Sequence, residues 1–255
     1  MLAKVGFWSR KQYHLDKMTF GELVKAYIQY YAIQAYIVVA IAGFAYAFAV
    51  GAPAVPLALS ALAAVLIYPL AWYLIHRFIL HGNWMAKSPL TAKVWKRIHF
   101  DHHQDPHDLH ILFGALYTTL PTIAIATMPV GFLLGGWPGA AMALATGCVM
   151  TCFYEFCHCV EHLSYKPKNR ILKHMKQSHM AHHFHSERGN YGITNFAWDK
   201  LFGTYYTNAD RPEKSATVYN LGYDKKMAAQ YPWVSDLSGG VSDDSPRERR
   251  HKQAA

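Results

Sequence analysis

The fold of this chain is decided by the stretch VPLALSALAAVLIYPLAWYLIHRFILH, residues 55–81. Its apolar part, residues 55–75, contains no charged side chain. This part is long enough for a helix to cross a bilayer, which takes about 20 residues. The same stretch continues without interruption into His76 and His81. The sequence therefore predicts a membrane helix that delivers two potential metal ligands where it leaves the bilayer.

Uncharged sequence extends far beyond this helix. Asp, Glu, Lys and Arg are absent from residues 26–75 and again from residues 111–154. Each region is long enough for two spans and has Gly and Pro near its middle, where a turn is needed. A buried hairpin in a soluble protein is the alternative, but it would lack the polar face that surface helices carry. We predict an all-α membrane protein with four transmembrane helices in two hairpins, at about 27–50, 55–75, 111–128 and 138–157.

Basic residues predict the orientation in the membrane. The formal net charge is +9, and Lys and Arg collect before residue 26 and between residues 76 and 110. Because these residues favour the cytoplasmic side, we expect a multi-pass protein with both termini and the histidine clusters in the cytoplasm. The charge then predicts contact with anionic lipid headgroups and not with nucleic acid. No cleavable signal peptide is expected, since the first apolar run follows a charged segment.

Histidines occur in four boxes with the spacing of metal ligands. HRFILH (76–81) and HCVEH (158–162) follow predicted spans, and HFDHH (99–103) and HMAHH (179–183) lie on predicted cytoplasmic helices. Positions i, i+3 and i+4 share one face of an α-helix, so each HX2HH triplet presents three imidazoles on one side. His76 and His81 would lie about 140° apart on a straight helix. They therefore either serve two different metals or flank a helix end.

The number of histidines predicts two metal ions, because ten imidazoles exceed the coordination of one. Imidazole suits Zn, Fe, Cu and Ni alike, so the ligand type does not choose the metal. A site at the membrane surface favours a lipid substrate, and iron with oxygen is the natural means of attacking an unactivated C–H bond. The predicted ligands, in a helical domain that caps the spans on the cytoplasmic side, are His76, His81, His99, His102, His103, His158, His162, His179, His182 and His183.

Other polar residues near the boxes are candidates for supporting roles. Metal-bound imidazoles commonly donate their second N–H to a carboxylate. The carboxylates considered for this role are Glu155, Glu161, Asp101 and Asp199. His107, His110 and His185 fall outside the repeated spacing, and we expect them to be surface or supporting residues, with a metal or substrate role for His107 or His110 as the alternative.

The cysteines cluster at the end of the fourth predicted span, at Cys148, Cys152, Cys157 and Cys159. We expect the cysteines to act as small apolar residues that form no disulfide, because they face a reducing compartment. A thiolate ligand at Cys157 or Cys159 is the alternative.

The predicted domains are an interfacial segment 1–26, a catalytic domain 27–205 and a polar, partly disordered tail 206–255. The aromatic residues suited to the headgroup level are Phe7, Trp8, Tyr13 and Phe20.

The boxes, in the order HX4H, HX2HH, HX3H and HX2HH, resemble those of the fatty acid hydroxylase and sterol desaturase superfamily of integral membrane non-haem di-metal oxygenases. The resemblance covers about residues 70–205 and is closest to the fatty acid 2-hydroxylase branch. Residues 75–78 in the first box support it, as do residues 192–194, which lead to Trp198, Asp199 and Phe202 after the last box.

The resemblance implies hydroxylation of a fatty acyl or sphingolipid acyl chain with O2. It also implies two iron ions on the ten histidines, with zinc possible in purified protein, and a separate cytochrome b5 or ferredoxin-type electron donor, since no fused cytochrome module is expected. His107 and His110 depart from the 2-hydroxylase pattern, so a sterol or carotenoid desaturase or hydroxylase stays an alternative. A metal transporter is a more distant alternative, because all four histidine boxes lie outside the apolar stretches.

Overall fold

The computed structural model describes residues 13–241 and 244–254. Over these residues the chain is all-helical, as predicted, apart from an isolated β-bridge between His14 and Asp108. The α-helices are α1 (Phe20–Gln29), α2 (Tyr31–Ala49), α3 (Ala54–Ile75), α4 (Pro89–Trp95), α5 (Asp101–Gln104), α6 (Leu109–Leu112), α7 (Leu116–His162), α8 (Arg170–Phe184), α9 (Ala197–Leu201), α10 (Lys225–Gln230), α11 (Trp233–Ser238) and α12 (Pro246–Ala254). Short 3-10 turns cover Leu15–Lys17 and Asn83–Lys87, and π-helical turns cover His76–Leu80 and Lys96–Phe100.

The chain divides into two compact units, each assembled from segments that are distant in sequence. The apolar unit comprises Phe20–Trp72 and Gly114–His158. The histidine unit comprises the described residues of 1–19, 73–113 and 159–255. The boundaries between the units fall close to the histidine boxes at the ends of α3 and α7. Apolar sequence therefore gives way to histidine-rich sequence where one unit ends and the other begins.

Three helical stretches are long and apolar enough to cross a membrane: Tyr31–Ala49, Ala54–Lys87 and Leu109–His162. Large apolar side chains in these stretches point outward, including Val38 (64% exposed) and Leu133 (83% exposed). Contiguous apolar surface on this scale marks an interaction site and not a water-facing surface. Apolar residues on all sides of a helix fit a lipid environment.

Helix α7 breaks in its middle, because residues 135 and 136 leave the helical conformation. Gly135 has φ −148° and ψ 21°, and Gly136 has φ 60° and ψ −152°. The positive φ at Gly136 is a conformation that glycine adopts without a steric cost. The 47-residue α7 therefore consists of two helices, one on each side of the break.

The two halves of α7 pack against each other in antiparallel fashion. A Cβ atom on Gly131 would overlap the carbonyl oxygen of Gly139, and a Cβ atom on Gly147 would lie 2.6 Å from Cγ2 of Ile123. Residues on one side of the break thus face residues at a similar distance along the chain on the other side, as in a helical hairpin. The glycines let the two backbones approach closely, which is how helices associate in membranes.

The core of the histidine unit lies around Trp95, which is fully buried. Phe100, Tyr223 and Val234 belong to the same buried cluster. The indole N–H of Trp95 donates to the carbonyl of Leu80 at 2.8 Å. This bond ties Leu80, inside the first histidine box, to the helix that leads into the second.

The N-terminal lead-in packs into the histidine unit from Tyr13 onward. The N–H of Leu15 donates to the carbonyl of His107 at 2.8 Å, and the N–H of Leu109 donates to the carbonyl of Tyr13 at 3.0 Å. Tyr13 is therefore held by backbone contacts within this unit. Of the aromatic residues proposed for the headgroup level, Phe7 and Trp8 lie outside the described residues.

Residues 206–238 differ from the predicted polar tail. They contain α10 and α11, and Tyr223 and Val234 are fully buried in the core around Trp95. The apolar residues of this region are few and widely spaced among polar ones, so their periodicity is too weak to predict a helix. Helix α12 follows, so among residues 244–254 the predicted disorder is also not observed.

Candidate metal centre

His76 and His81 are brought together by the π-helical turn His76–Leu80 at the end of α3. The N–H of His81 donates to the carbonyl of His76 at 3.0 Å, so this hydrogen bond spans five residues. The wider turn rotates His81 back onto the face of His76. Their Nε2 atoms lie 3.1 Å apart. Neither expected outcome, two separate metals or a helix end between the residues, describes this arrangement.

The two triplets lie on helices with defined starts. Pro89 opens α4, and the Ser88 hydroxyl caps it by accepting from the N–H of Leu90. α4, the π-helical turn Lys96–Phe100 and α5 follow one another without a break and carry the second box. The side chain of Asn169 caps α8, which carries the last box over Arg170–Phe184, as the sequence predicts.

A first set of imidazoles combines the first box with histidines of the second and fourth boxes. The Nε2 atom of His81 lies 3.1 Å from that of His76 and 2.8 Å from that of His99. One ring nitrogen from each member lies within 4.8 Å of those of the others. The five members are His76, His81, His99, His103 and His182.

A second set combines the third box with histidines of the second and fourth boxes. The Nε2 atoms of His162 and His179 lie 2.9 Å apart. Four of its members lie in the histidine unit: His102, His162, His179 and His183. His158 is the last residue of the apolar unit and lies one turn before His162 on α7, so helical spacing places the two rings on one face. His158 is counted with the second set.

Each triplet is divided between the two sets, which corrects the expectation that a triplet presents one metal-binding face. His182 joins the first set while His179 and His183 join the second. In the other triplet, His102 alone joins the second set. The reason is that residues i+3 and i+4 lie on opposite flanks of a helix face, so each can turn toward a different neighbour.

The two sets adjoin each other. The ring centroids of His103 and His183, one from each set, lie 4.2 Å apart. The ring of His183 also lies 4.5 Å from that of His102 and 4.5 Å from that of His179. Two ions held by these sets would therefore occupy neighbouring positions.

The residues present fit metal ions. His183 is 1% exposed, and neither of its ring nitrogens has a hydrogen-bond partner. A buried polar group without a partner is costly, and a metal ion would satisfy it. Nitrogens bound to one ion at about 2.1 Å and at right angles lie about 3 Å apart. The Nε2–Nε2 separations of 2.8–3.1 Å match that value.

Backbone carbonyls orient three imidazoles of the first set through their Nδ1 atoms. The partners are the carbonyl of Tyr191 for His76 at 2.5 Å, that of Val218 for His103 at 2.9 Å and that of Gly189 for His182 at 2.7 Å. A ring that donates through Nδ1 keeps the lone pair of Nε2 for a metal. The sequence did not predict these partners, because every residue has a backbone carbonyl and no residue type marks the three that contact an imidazole.

One sequence signal does mark the loop that carries two of these carbonyls. Asn190 has φ 54°, in the left-handed region that Asn tolerates better than most residues. Its amide Nδ2 donates to the carbonyl of Tyr206 at 3.0 Å, and its Oδ1 accepts from the N–H of Tyr206 at 3.0 Å. A Gly-Asn pair after the last histidine box was thus available as a sign of a fixed turn.

The four proposed carboxylates play different roles. Asp199 accepts from the N–H groups of Tyr191 at 2.8 Å and Gly192 at 2.7 Å, so it holds the loop whose carbonyl faces His76. Glu161 is fully buried, with Oε2 3.9 Å from Nδ1 of His179. Asp199 thus supports the loop beside His76, whereas Glu161 lies near His179 without a hydrogen bond to it, and its orienting role stays a prediction.

The other two carboxylates differ from the expectation. Asp101 pairs with Lys96 at 2.6 Å, because the turn that brings Lys96 beside it offers a full positive charge. Glu155 lies in the apolar unit, where Oε1 accepts from the N–H of Gly114 at 3.2 Å.

The remaining histidines and the cysteines lie outside the two sets. His107 contacts the carbonyl of His162 through Nδ1 at 3.2 Å, and His185 contacts the carbonyl of Pro212 through Nε2 at 2.6 Å. His110 is exposed. None of the four cysteines forms a disulfide, and none belongs to a metal-binding group among the described residues.

Burial tunes the protonation of the imidazoles. It lowers the pKa of His99 and of His183 well below the ordinary histidine value of about 6.5, and neighbouring imidazoles act in the same direction. Both rings are therefore neutral near pH 7. Neutral imidazole is the form that binds metal ions.

Comparison with known proteins agrees with this geometry. Residues 61–204, more than half of the chain, match the model of the fatty acid hydroxylase family. A dihydroceramide fatty acyl 2-hydroxylase of Arabidopsis thaliana is 34% identical over 144 residues, which are 55% of this chain and 57% of that protein. A ceramide very long chain fatty acid hydroxylase of Saccharomyces cerevisiae is 26% identical over 148 residues, 55% of this chain and 36% of that protein.

The fold also resembles a solved structure. Full-length scs7p, of which only the hydroxylase domain is visible, superposes with a TM-score of 0.64 at 22% identity, covering 81% of this chain and 84% of that chain. The matched region is 57% of the first curated relative and 36% of the second, so the chain spans less than two thirds of either.

Membrane-length apolar helices joined to two buried sets of imidazoles define a class of histidine-rich membrane metalloproteins. Within that class, the chain belongs to the fatty acid hydroxylase family.

Proposed function

We propose that this protein is a membrane-bound oxygenase that hydroxylates a C–H bond in a lipid acyl chain. The observation that carries the proposal is the pair of adjoining, buried imidazole sets in a chain of the fatty acid hydroxylase family. Relatives named as fatty acyl 2-hydroxylases support position 2 of a fatty acyl or sphingolipid acyl chain as the site of reaction.

We assign two iron ions to the two sets of five imidazoles. Iron with O2 supplies an oxidant strong enough for an unactivated C–H bond, and the overall balance is R–H + O2 + 2 e⁻ + 2 H⁺ → R–OH + H2O. The protein's own contribution is to bury nine of the ten imidazoles and to exclude water from them. His76, His103 and His182 donate through Nδ1 to carbonyl groups, which fixes their orientation and leaves Nε2 available.

The chemical proposal is tested by mass spectrometry of lipids from cells with and without the protein. We expect a mass gain of one oxygen on an acyl chain, absent with His179→Ala and with His102→Ala. A loss of two hydrogens in place of the oxygen gain would favour a desaturase on the same scaffold. Unchanged lipids in cells that hold the folded protein would contradict both reactions.

The assignment of iron needs a separate measurement, because purification can replace iron by zinc. Metal analysis of protein purified without oxygen and without chelators is expected to give two irons per chain. One metal per chain, or a metal that does not exchange electrons in functional protein, would contradict the assignment.

We also propose four membrane spans, with the histidine unit and both termini in the cytoplasm. The break of α7 at Gly135 and Gly136 supports two spans within that helix, and the basic residues between 76 and 110 support the orientation. Cysteines introduced at Gly51 and Gly136 are expected to react with an impermeant thiol reagent from outside intact cells, and a cysteine at Ser88 is expected not to react. The opposite labelling pattern would contradict this topology.

The bounds of the catalytic domain, 27–205, stay a proposal. The packing of Tyr223 and Val234 against Trp95 supports an extension of that domain beyond residue 205. Truncation after residue 205 is then expected to abolish folding of the histidine unit, which limited proteolysis would detect.

A further inference from the structure

A basic groove, which we call the α8 groove, lies on the side of α8 that faces away from the metal-site histidines. It has a volume of about 580 Å³. Its cations are Lys166, Lys173, Lys176 and Arg211, and no Asp or Glu of the described residues lines it. Nothing in the proposed reaction at the imidazoles uses this groove.

Helix α8 has two different faces. His179 and His183 lie on the buried face, whereas Lys173, Met180 and Phe184 line the groove on the other. An α-helix with its side chains is about 10–12 Å across. A molecule seated in the groove would therefore lie one helix away from the second imidazole set.

The charged residues of α8 and of the segment before it are all basic over a long stretch of sequence. Residues 162–186 contain five Lys or Arg residues and no Asp or Glu. Lys176 is partly engaged, since its Nζ donates to the carbonyl of Glu161 at 2.8 Å, whereas Lys173 is exposed. A concentrated positive field of this kind selects an acidic partner and steers its approach.

Phe184 links the groove to the metal site. Its side chain lines the groove, and its ring centroid lies 6.4 Å from that of His183, the next residue in the chain. On the same side the ring stacks on His107 at 6.1 Å. The path from a partner in the groove to a metal-site imidazole is therefore short, through one aromatic side chain.

We propose that the α8 groove docks an acidic electron-carrier protein that supplies the electrons for hydroxylation, an inference that rests on the proposed function. Two molecules of the reduced carrier are each oxidised by one electron for every C–H bond hydroxylated. O2 is reduced, one of its atoms enters the C–H bond, and the other leaves as water with two protons. The groove lies on the helix that carries His179 and His183 of the second set, and this closeness to the metal site favours a redox protein over a lipid surface.

The test uses the full chain in lipid nanodiscs and the reduced haem domain of a cytochrome b5 as an acidic probe. Calorimetry measures binding of the probe, and its reoxidation during lipid hydroxylation gives kcat and KM. We expect the double variant Lys173→Glu with Arg211→Glu to raise both the dissociation constant and KM for the probe about tenfold or more. Added salt should weaken binding to the wild type and have little effect on the variant.

The matched control is Lys225→Glu with Lys226→Glu, which makes the same charge change on exposed residues outside the groove. The control should bind the probe as the wild type does. Single turnover driven by dithionite, which needs no docking, should be unchanged in both variants. Its absence in the wild type would count against the proposed function, while the binding measurement still reports on the groove.

Equal affinity of the wild type and the groove variant for the probe would overturn the proposal. The same holds if the control variant loses as much affinity as the groove variant. Loss of binding to phosphatidylserine vesicles by the groove variant, with an unchanged KM for the probe, would also overturn it and assign the groove to lipid headgroups.

Discussion

At the scale of single residues, His183 gives the strongest support for a metal site. Its ring is buried, has no hydrogen-bond partner and lies in contact with imidazoles of both sets. Spacing in the sequence marked it as a ligand. The sequence could not reveal which set it joins, because that depends on which neighbours fold against α8.

Replacement of His183 by alanine should remove a metal ligand without disturbing a hydrogen-bond network. We expect lipid hydroxylation to fall below detection and the metal content to fall below two ions per chain. His110→Ala is the control, because His110 is exposed and outside both sets. Metal analysis and lipid mass spectrometry of the two variants check the prediction, and full metal content in His183→Ala would contradict it.

Asp199 should act on the metal site through the backbone. Its carboxylate fixes the N–H groups of Tyr191 and Gly192, and the Tyr191 carbonyl in turn fixes His76. Asn has the same size, but its NH2 group replaces one of the two accepting oxygens, so one of these hydrogen bonds is lost. We expect Asp199→Asn to weaken metal retention about 10- to 100-fold, the usual cost of losing such support.

The matched control for Asp199→Asn is Asp101→Asn, which breaks a half-buried pair with Lys96 and no hydrogen bond to an imidazole or to the loop that orients one. Pairs of this kind contribute up to about 1 kcal/mol. Competition with a chelator should therefore remove metal from Asp101→Asn at the wild-type concentration. Equal chelator resistance of the two variants would contradict the role of Asp199.

At the scale of elements, the sequence predicts helices better than the turns between and within them. The uncharged stretches located α2, α3 and the two halves of α7, because lipid-facing helices have no polar face to obscure the pattern. The π-helical turn at His76–Leu80 was not foreseen, since a π turn differs from an α turn by one hydrogen-bond register and has no composition signal.

Close approach of the two halves of α7 should depend on Gly131. An added methyl group there would overlap the carbonyl oxygen of Gly139, whereas one on Gly21 in α1 would meet no atom within 4 Å. Gly21→Ala should raise stability by about 0.5–1 kcal/mol through better helix propensity. We expect Gly131→Ala to lower the thermal midpoint in detergent, and a midpoint at or above that of Gly21→Ala would contradict the hairpin.

At the scale of the whole molecule, the site depends on parts that are far apart in sequence. The histidine unit draws on three segments of the chain, and residues near Val218 orient His103. Spacing within a box identifies ligands one helix at a time. Their division into two sets, and the contribution of residues 206–238 to the core, follow from tertiary packing that no local pattern encodes.

The metal-free protein should lose stability in acid. Burial lowers the pKa of His99 and His183, so these rings stay neutral in the folded state while unfolded histidines take up protons near pH 6.5. The unfolded state then binds more protons, so the contribution of these two rings to stability is lost as the pH drops below about 6.5. Thermal midpoints between about pH 8 and pH 5 check this, and a midpoint that rises on acidification would contradict it.

Metal retention should also fall in acid, because protons compete with metal ions for the imidazole nitrogens. Because burial lowers the pKa of His99 and His183 well below 6.5, dialysis at decreasing pH is expected to release metal only below about pH 6.5. Circular dichroism of the same samples separates this effect from general unfolding in acid, and release of metal from folded protein above pH 6.5 would contradict the prediction.

The most direct test of the account is the origin of the oxygen atom in the product. Cells producing the wild-type protein under ¹⁸O2 should yield acyl chains that carry one ¹⁸O atom at the hydroxylated carbon, and cells producing His183→Ala should yield none. A hydroxyl oxygen derived from water, or an unlabelled lipid pool in cells that contain the metal-loaded wild-type protein, would contradict the assignment of this chain as an oxygen-dependent lipid hydroxylase.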